Sequence, residues 1–450
     1  MKKKFRFSMS TTQIIMLSFL LAILVGSLLL SLPISAADGK SVSYIDALFT
    51  ATTATCVTGL VTLPTVSTWS VFGQIVILLL IQVGGLGIIT VMSGIMLALH
   101  RKMGLGDRLL LQDAFNLTTL SGLAAFIQRV ILGTLIVEGI GALAYMTVFV
   151  PQFGVRGIWI SIFNSISAFC NAGIDIISEN SLCDYATHPL INTVTALLII
   201  LGGLGYIVWW DILRVCKTVK HHRLRHLTLH TKIALSATVC LIIAGGISFF
   251  LLEYNNPLTL KELSLFDKIQ VSLFQSVTTR TAGFATLPQQ NLTNASSIVS
   301  LLLMFIGGSP VGTAGGVKTV TIVVLAASAI STIKNKDNVT LFHRTLSKQA
   351  INKAVAVTSM SFFILFISTV LLAATTQANA LDILYETVSA TATVGLTRNL
   401  TPILNVWGKL IIIATMYLGR IGPISLALAL NVKRRSENII KNPTEDISVG

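Results

Sequence analysis

Residues 12–32 carry no charged side chain, and at about 1.5 Å per residue a helix of that length crosses the roughly 30 Å of hydrocarbon in a bilayer. Apolar runs of this kind recur along all 450 residues, so a lone anchor on a soluble domain is excluded. With 53% hydrophobic and 11% charged residues the chain has too little polar surface to wrap a soluble core, and no soluble domain is expected. The basic start Met1-Lys2-Lys3-Lys4-Phe5-Arg6 could belong to a secretory leader. The apolar stretch behind it exceeds a leader core, however, and Ser35-Ala36-Ala37 makes no clear cleavage site, so the segment reads as a retained first span.

The net charge of +14 follows a topological pattern. Segments 2–6, 101–108, 214–232, 334–353 and 433–441 hold 22 of the 32 Lys and Arg residues, whereas the hydrophilic stretches between them lean acidic. The positive-inside rule makes these five segments cytoplasmic, both termini included, which gives a multi-pass protein of the cell (plasma) membrane. A nucleic-acid partner would need basic residues clustered on a soluble surface, and none is expected. The cysteines Cys56, Cys170, Cys183, Cys216 and Cys240 show no metal-type spacing and suggest no disulfide framework.

Four short stretches repeat around a glycine: Thr55-Cys56-Val57-Thr58-Gly59-Leu60, Phe169-Cys170-Asn171-Ala172-Gly173-Ile174, Thr279-Arg280-Thr281-Ala282-Gly283-Phe284 and Thr391-Ala392-Thr393-Val394-Gly395-Leu396. The glycines lie 114, 110 and 112 residues apart. A helical segment too short to span precedes each one, at 43–54, 159–168, 267–278 and 381–390. An aromatic residue stands ten places before the glycine at Phe49, Phe163 and Tyr385, but nine before it at Phe274. About 25 residues after each glycine, 29 in the second quarter, a second matched stretch interrupts an apolar run: Gly84-Gly85-Leu86-Gly87, Gly202-Gly203-Leu204-Gly205, Gly307-Gly308-Ser309-Pro310 and Gly419-Arg420-Ile421-Gly422.

The expected fold is therefore an all-α membrane protein of four parallel-topology repeats. Each repeat is a span, a re-entrant pore helix with a filter loop, and a second span with a glycine kink, giving eight full spans around one pseudo-four-fold central pore. The repeats divide the chain at 1–112, 113–226, 227–347 and 348–450. The third has a broken second span and a gate loop, and the fourth ends in a cytoplasmic tail.

An ion leaving water needs replacement oxygens, which backbone carbonyls provide without net charge, and irregular backbone is tolerated at membrane depth only where it is buried or lines a cavity. Glycine admits positive φ and so lets successive carbonyls face one axis. The C-termini of the short helices would favour a cation there, and Asp267 is placed to cap one N-terminus. The acidic outer segments add a shallow attractive field. Filter residues on this reading are Thr55, Cys56, Val57, Thr58, Gly59, Cys170, Asn171, Ala172, Gly173, Thr279, Arg280, Thr281, Ala282, Gly283, Thr391, Ala392, Thr393, Val394 and Gly395. A cation would be held through Val57, Thr58, Asn171, Ala172, Thr281, Ala282, Thr393 and Val394.

These stretches, with the glycine-rich run 307–318 and Gly419-Arg420-Ile421-Gly422-Pro423, resemble the superfamily of potassium transporters that includes the Trk, Ktr and plant HKT proteins, most of all the KtrB-type membrane subunit. The resemblance covers essentially the whole chain. It implies a potassium uptake subunit in membrane lipid, often sodium-dependent, with potassium and in some members sodium as the transported ion. It also implies a homodimer and a cytoplasmic nucleotide-binding regulatory ring of the KtrA type. The sequence keeps one glycine per repeat where potassium channels have Thr-Val-Gly-Tyr-Gly, so a weaker discrimination against sodium is expected. Glycine rather than serine at Gly59 resembles the potassium-favouring members.

Five glycines and a proline within 307–318 rule out an unbroken helix. Gly307, Gly308, Gly312, Thr313, Gly315, Gly316 and Lys318 are read, with support from the resemblance, as a gate loop beneath the filter. Arg420, a guanidinium deep in an apolar span, is expected to face the cavity below the filter as a positive barrier, the alternative being a structural pairing. Arg280 is expected to point backward, to a carboxylate such as Glu386 or to pore-helix carbonyls. Glu138, mid-span, suggests a hydrogen bond between helices or proton coupling. His221, His222, His226 and His230 mimic metal spacing but read as a solvated or partner-docking segment. No paired carboxylates, nucleophile with base, or metal ligands converge, so an enzyme is not expected. The competing functional reading is a sodium- or proton-coupled cation carrier.

Overall fold

The computed structural model describes residues 11–99, 104, 109, 122–218, 223–336 and 338–422. The basic segments 2–6 and 433–441, nearly all of 101–108, His221, His222, Pro423 and the boundary between the first two repeats lie outside the described residues. In the first quarter α1 (Thr11–Leu30) is followed by α2 (Tyr44–Cys56), a single turn Thr65–Thr68, α3 (Val71–Leu86) and α4 (Ile88–Ala98). The second contains α5 (Leu123–Phe153), α6 (Val155–Cys170), α7 (Pro189–Leu204) and α8 (Tyr206–Thr218). The third contains α9 (Leu229–Glu253), α10 (Leu265–Thr278), α11 (Asn294–Phe305) and α12 (Thr319–Ile333). A two-residue antiparallel ladder, β1 (Thr340–Leu341) with β2 (Arg344–Thr345), leads into the fourth quarter, α13 (Lys348–Thr375), α14 (Ala380–Ala392) and α15 (Val406–Ile421).

Helix starts follow local chemistry. Ser70, Thr228, Ser264, Thr293, Ser347 and Asn405 each accept a hydrogen bond from the backbone N–H three residues on, filling a donor that the first turn leaves open. For α10 the cap is Ser264, not Asp267. Asp267 stands in the first turn, where its N–H donates to Ser264 and its carboxylate receives the serine hydroxyl at 2.7 Å.

Helices α1, α5, α9 and α13 are long and apolar enough to cross a membrane, and the bent pairs α3/α4 and α7/α8 raise the count to six. The expected kink in the second span is a full break: α7 and α8 meet at 94°. Gly205 at the break has φ 86° and ψ 146°, and Gly87 and Gly422 at the matched places have φ 84° and 85°, a conformation that a side chain resists. The second span of the third quarter is interrupted by the 307–318 loop, and α15 ends at the limit of the described residues.

The long helices turn leucine and phenylalanine outward, for example Leu21, Leu28, Phe362, Phe363 and Phe366, as a chain solvated by lipid does. Their inner faces carry a small residue where the short helix and the second span converge. Gly26 lies against Ala51 and Leu80, Gly141 against Ser165 and Leu198, and Gly245 against Ser276 and Leu303. In the fourth quarter Ser368 takes that place and accepts from Thr415 at 2.8 Å.

At one end of α9 the buried carboxylate of Glu253 gathers the N–H and hydroxyl of Thr293 (2.9 and 2.8 Å), the amide of Asn256 (2.6 Å) and the hydroxyl of Thr259 (2.6 Å), fixing α9 to the start of α11. Glu253→Ala leaves those donors unfilled and is expected to cost about 2–4 kcal/mol. The check is the melting temperature of the full chain in detergent, with Glu253→Gln falling between the variant and the parent.

Candidate functional site

The four short helices end in one way, with a single variation. In α2, α6 and α14 the residue two places before the repeat glycine is left-handed: Val57 (φ 55°), Asn171 (φ 59°) and Thr393 (φ 50°). Each closes a Schellman-type end. Its own N–H bonds the carbonyl three residues back, and the next N–H bonds the carbonyl five back, as with Thr58 to Thr53, Ala172 to Ser167 and Val394 to Ser389. α10 stops at Thr278, yet Thr281, again two before the glycine, is left-handed at 61°. The glycines follow with φ of 99°, 63°, 83° and 97°. Left-handed β-branched residues are costly, roughly 1–3 kcal/mol each, and persist only where the surroundings hold them.

What holds them is a hydroxyl in the last turn of each short helix. Thr53 and Ser389 accept from the N–H of Gly59 and Gly395, both at 3.0 Å. Ser167 bonds the N–H and carbonyl of Ile174, and Thr278 donates to the carbonyl of Phe284 at 2.6 Å. This residue stands four places after the buried aromatic in every quarter: Phe49 and Thr53, Phe163 and Ser167, Phe274 and Thr278, Tyr385 and Ser389. The third quarter is thus one residue shorter between hydroxyl and glycine, which accounts for Phe274 standing nine places before Gly283. The recurrent spacing of four was readable in the sequence and was missed.

The four glycines meet. A Cβ placed on Gly59 would lie 2.6 Å from the Ala172 oxygen, one on Gly173 2.6 Å from the Ala282 oxygen, and one on Gly283 2.6 Å from the Val394 oxygen; one on Gly395 would run into the Thr58 oxygen. The contacts close into a ring in chain order, with the carbonyl before each glycine set against the glycine of a neighbouring quarter. The same four glycines floor a single cavity of about 410 Å³, whose walls include Asp175, Ser178, Glu179, Gln289 and Asn399. Of the expected filter residues, Thr55, Cys56, Cys170, Thr391 and Ala392 belong to the last helical turns rather than the loops. Thr279 caps α10 with its hydroxyl on the Ser276 carbonyl.

On the other side of the ring, the 307–318 loop is pinned at its neck, where Gly307 N–H bonds the Val317 carbonyl (2.9 Å) and Val317 N–H that of Phe305. Backbone bonds then dock it on the second quarter: Ser309 N–H to the Gly203 carbonyl (2.8 Å), Thr313 N–H to that of Gly202 (3.2 Å), and Tyr206 N–H to that of Val311 (3.0 Å). The Thr313 hydroxyl lies 2.9 Å from Asn171 Oδ1 and 3.1 Å from the Phe169 carbonyl. Gly315 and Gly316 press on Thr393 and Ala392 of the fourth quarter. Lys318 Nζ caps the Ala314 carbonyl at 2.5 Å. Arg420 donates Nη1 to the Thr313 carbonyl (2.6 Å) and Nη2 to the Gly84 carbonyl (2.5 Å), so one guanidinium of the fourth quarter joins the first quarter to the loop of the third.

Arg280 reaches Thr238 of α9 at 3.3 Å, behind α10, and has no carboxylate partner among the described residues. The expected partner Glu386 is unavailable, because its two oxygens take the hydroxyls of Thr397 and Thr401 on the segment that leaves its own loop. Glu138 accepts from Gln82 of α3 at 3.2 Å, a hydrogen bond between helices. Arg398, absent from the sequence expectations, pairs with Asp382 at 2.7 Å and bonds Gln289 and Ser297 across quarters. Among the described residues no group of three or more His, Cys, Asp or Glu could hold a metal ion.

Residues 2–442 match the TrkH family, described as cation transport protein. The chain is 39% identical to the potassium/sodium uptake protein NtpJ of Enterococcus hirae, covering 100% of this chain and 99% of that protein. It is 40% identical to the Ktr system potassium uptake protein B of Bacillus subtilis, covering 97% and 96%. Its fold is similar to the crystal structure of the potassium transporter TrkH from Vibrio parahaemolyticus, with a TM-score of 0.75 and 18% identity over 96% of this chain and 87% of that one.

In the loop after Gly173, burial lifts the Asp175 carboxyl from the ordinary aspartate value to about 6, against the opposing bonds from Ser181, Ile177 and Ser178. The fold thus favours the protonated form, so this contribution to stability is present below about pH 4 and is lost as pH rises through about 6. Asp175→Asn, neutral throughout, is expected to match the parent near pH 4 and to exceed it by about 1–3 kcal/mol near pH 8. Melting curves of both proteins at the two pH values check this.

Proposed function

Because the chain belongs to the TrkH family of cation transport proteins, we propose that it is a potassium uptake subunit whose ion path runs through the ring of repeat glycines. It is a multi-pass membrane transporter and not an enzyme. Potassium as the transported ion, with sodium dependence or co-passage, agrees with the names of its relatives.

The observation that carries the path is the closed ring: four loops, each left-handed two places before its glycine, with the oxygens of Thr58, Ala172, Ala282 and Val394 set around one point. Carbonyl oxygens so arranged replace the hydration of an alkali ion, and the wall carboxylates Asp175 and Glu179 attract cations and repel anions. In this reading the cavity above the ring opens outward and the 307–318 loop and Arg420 lie on the cytoplasmic side. The loop is a gate, and the guanidinium puts a positive charge in the path until loop and arginine separate. Eight crossings follow when the interrupted and bent second spans are counted one per quarter. The likeness to a Ktr system protein supports a subunit that works with a separate cytoplasmic regulator, the nucleotide-binding ring and homodimer implied by the sequence resemblance.

Purified protein in liposomes is expected to take up rubidium or potassium down its gradient alone. Uptake that stalls when a proton gradient is dissipated favours the coupled carrier instead. Gly59→Ser adds a side chain 2.6 Å from the Ala172 oxygen of the ring, at a φ of 99°, and is expected to lower potassium over sodium preference about tenfold, a change of about 1.4 kcal/mol. An unchanged ratio removes Gly59 from the path. Arg420→Ala removes the charge and both carbonyl bonds and is expected to raise basal potassium flux several-fold. Wild-type flux in that variant eliminates the barrier.

A further inference from the structure

We infer that the 307–318 loop is a working wall of the filter as well as its obstruction, and that Asn171 and Thr313 are positioning residues through which the loop sets ion preference. The inference rests on the gate reading above and deepens it. Asn171 is one of the four left-handed residues on which the ring is built, and its side chain is buried. Its Oδ1 receives the Thr313 hydroxyl at 2.9 Å, and its Nδ2 has no partner among the described residues. The equivalent residues differ. Val57 has no polar group and packs on Gly84, while Thr393 touches Gly315 of the same loop.

The loop therefore bears on the bases of two filter strands, those of the second and fourth quarters, which are not neighbours in the ring. Thr313 also bonds the Phe169 carbonyl, an acceptor in the last turn of α6. Three backbone bonds to Gly202, Gly203 and Tyr206 fix the height of the loop against this strand. When the loop leaves, the Asn171 amide loses the Thr313 hydroxyl that orients it, and the Phe169 carbonyl loses its hydroxyl donor. The strand is then held from the α6 side alone, through Ser167, and the oxygen of Ala172 next to Asn171 shifts. Ion preference then depends on loop position, with a tight filter under the docked loop and a looser one after its release.

Thr313→Val removes the hydroxyl at constant shape. Asn171→Thr installs the residue found left-handed at Thr281 and Thr393, so the backbone of the strand remains accessible. The full chain is reconstituted in liposomes, and rubidium uptake is measured against competing sodium. Both variants are expected to lower the potassium over sodium preference about fivefold, the effect of one lost hydrogen bond, and the double variant to go no further than either. Melting of each detergent-solubilised protein in potassium and in sodium gives a second readout, in which the variants lose part of the extra protection by potassium. A wild-type ratio in both variants, whatever their uptake rates, overturns the inference. Deletion of residues 311–315 separates the two readings. If the deletion raises flux while the point variants keep the wild-type ratio, the loop obstructs the path without shaping the filter. If the deletion leaves flux unchanged, the gate reading fails and the inference with it.

Discussion

A peptide group inside a bilayer has no water to bond, and an unpartnered one costs roughly 4–8 kcal/mol in a medium that cannot hydrogen-bond. The structure depends on where this chain breaks that rule safely. It ends four short helices in the protein interior, fills the frayed carbonyls of α2, α6 and α14 with Schellman-type bonds, and ties all four departing strands with a threonine or serine hydroxyl. The carbonyls of Thr58, Ala172, Ala282 and Val394 are set against the glycines of the ring, and they make its centre polar.

The same constraint shapes the level below the ring. Breaking a span near Gly202 or within 307–318 frees further carbonyls, and these are taken by neighbouring segments: Gly202 and Gly203 by the loop, Val311 by Tyr206, Thr313 and Gly84 by Arg420. Arg420 is suited to this because a guanidinium offers several donors in one plane and cannot give up its charge cheaply. Lysine has three donors at a point and would reach one carbonyl more readily than two on separate segments. The charge and the bridging come from one side chain, so an event that breaks the bridge also moves the charge.

The four quarters are related but not interchangeable. The first and fourth hold the glycine N–H from the helix, whereas the second and third hold the residue after the glycine. The third also lacks one residue before its glycine and carries the loop. Beyond this, Arg280 places a buried charge behind α10 with one hydrogen bond and no counter-charge among the described residues, where Glu138 of the second quarter and Gln82 of the first stand behind α6. Near-symmetry suffices to close a ring of oxygens. The departures from it give the loop two strands to rest on and leave the first quarter to Arg420.

The sequence by itself determined the membrane setting, the four glycine repeats, the short helices to within a few residues and the interruption at 307–318, because apolar run length, glycine recurrence and the loss of helix propensity are local properties. The four-residue step from aromatic to hydroxyl is equally local, but a lone threonine or serine in a helix is too common to stand out without its partner across the loop. Tertiary structure alone decided the partners. Thr313 meets Asn171 from 142 residues away and Arg420 meets Gly84 from 336 away, and Glu386 turned out to be occupied by its own quarter instead of by Arg280. A buried donor bonds whichever acceptor the assembled helices leave unfilled beside it, and that vacancy exists only once the four quarters have come together.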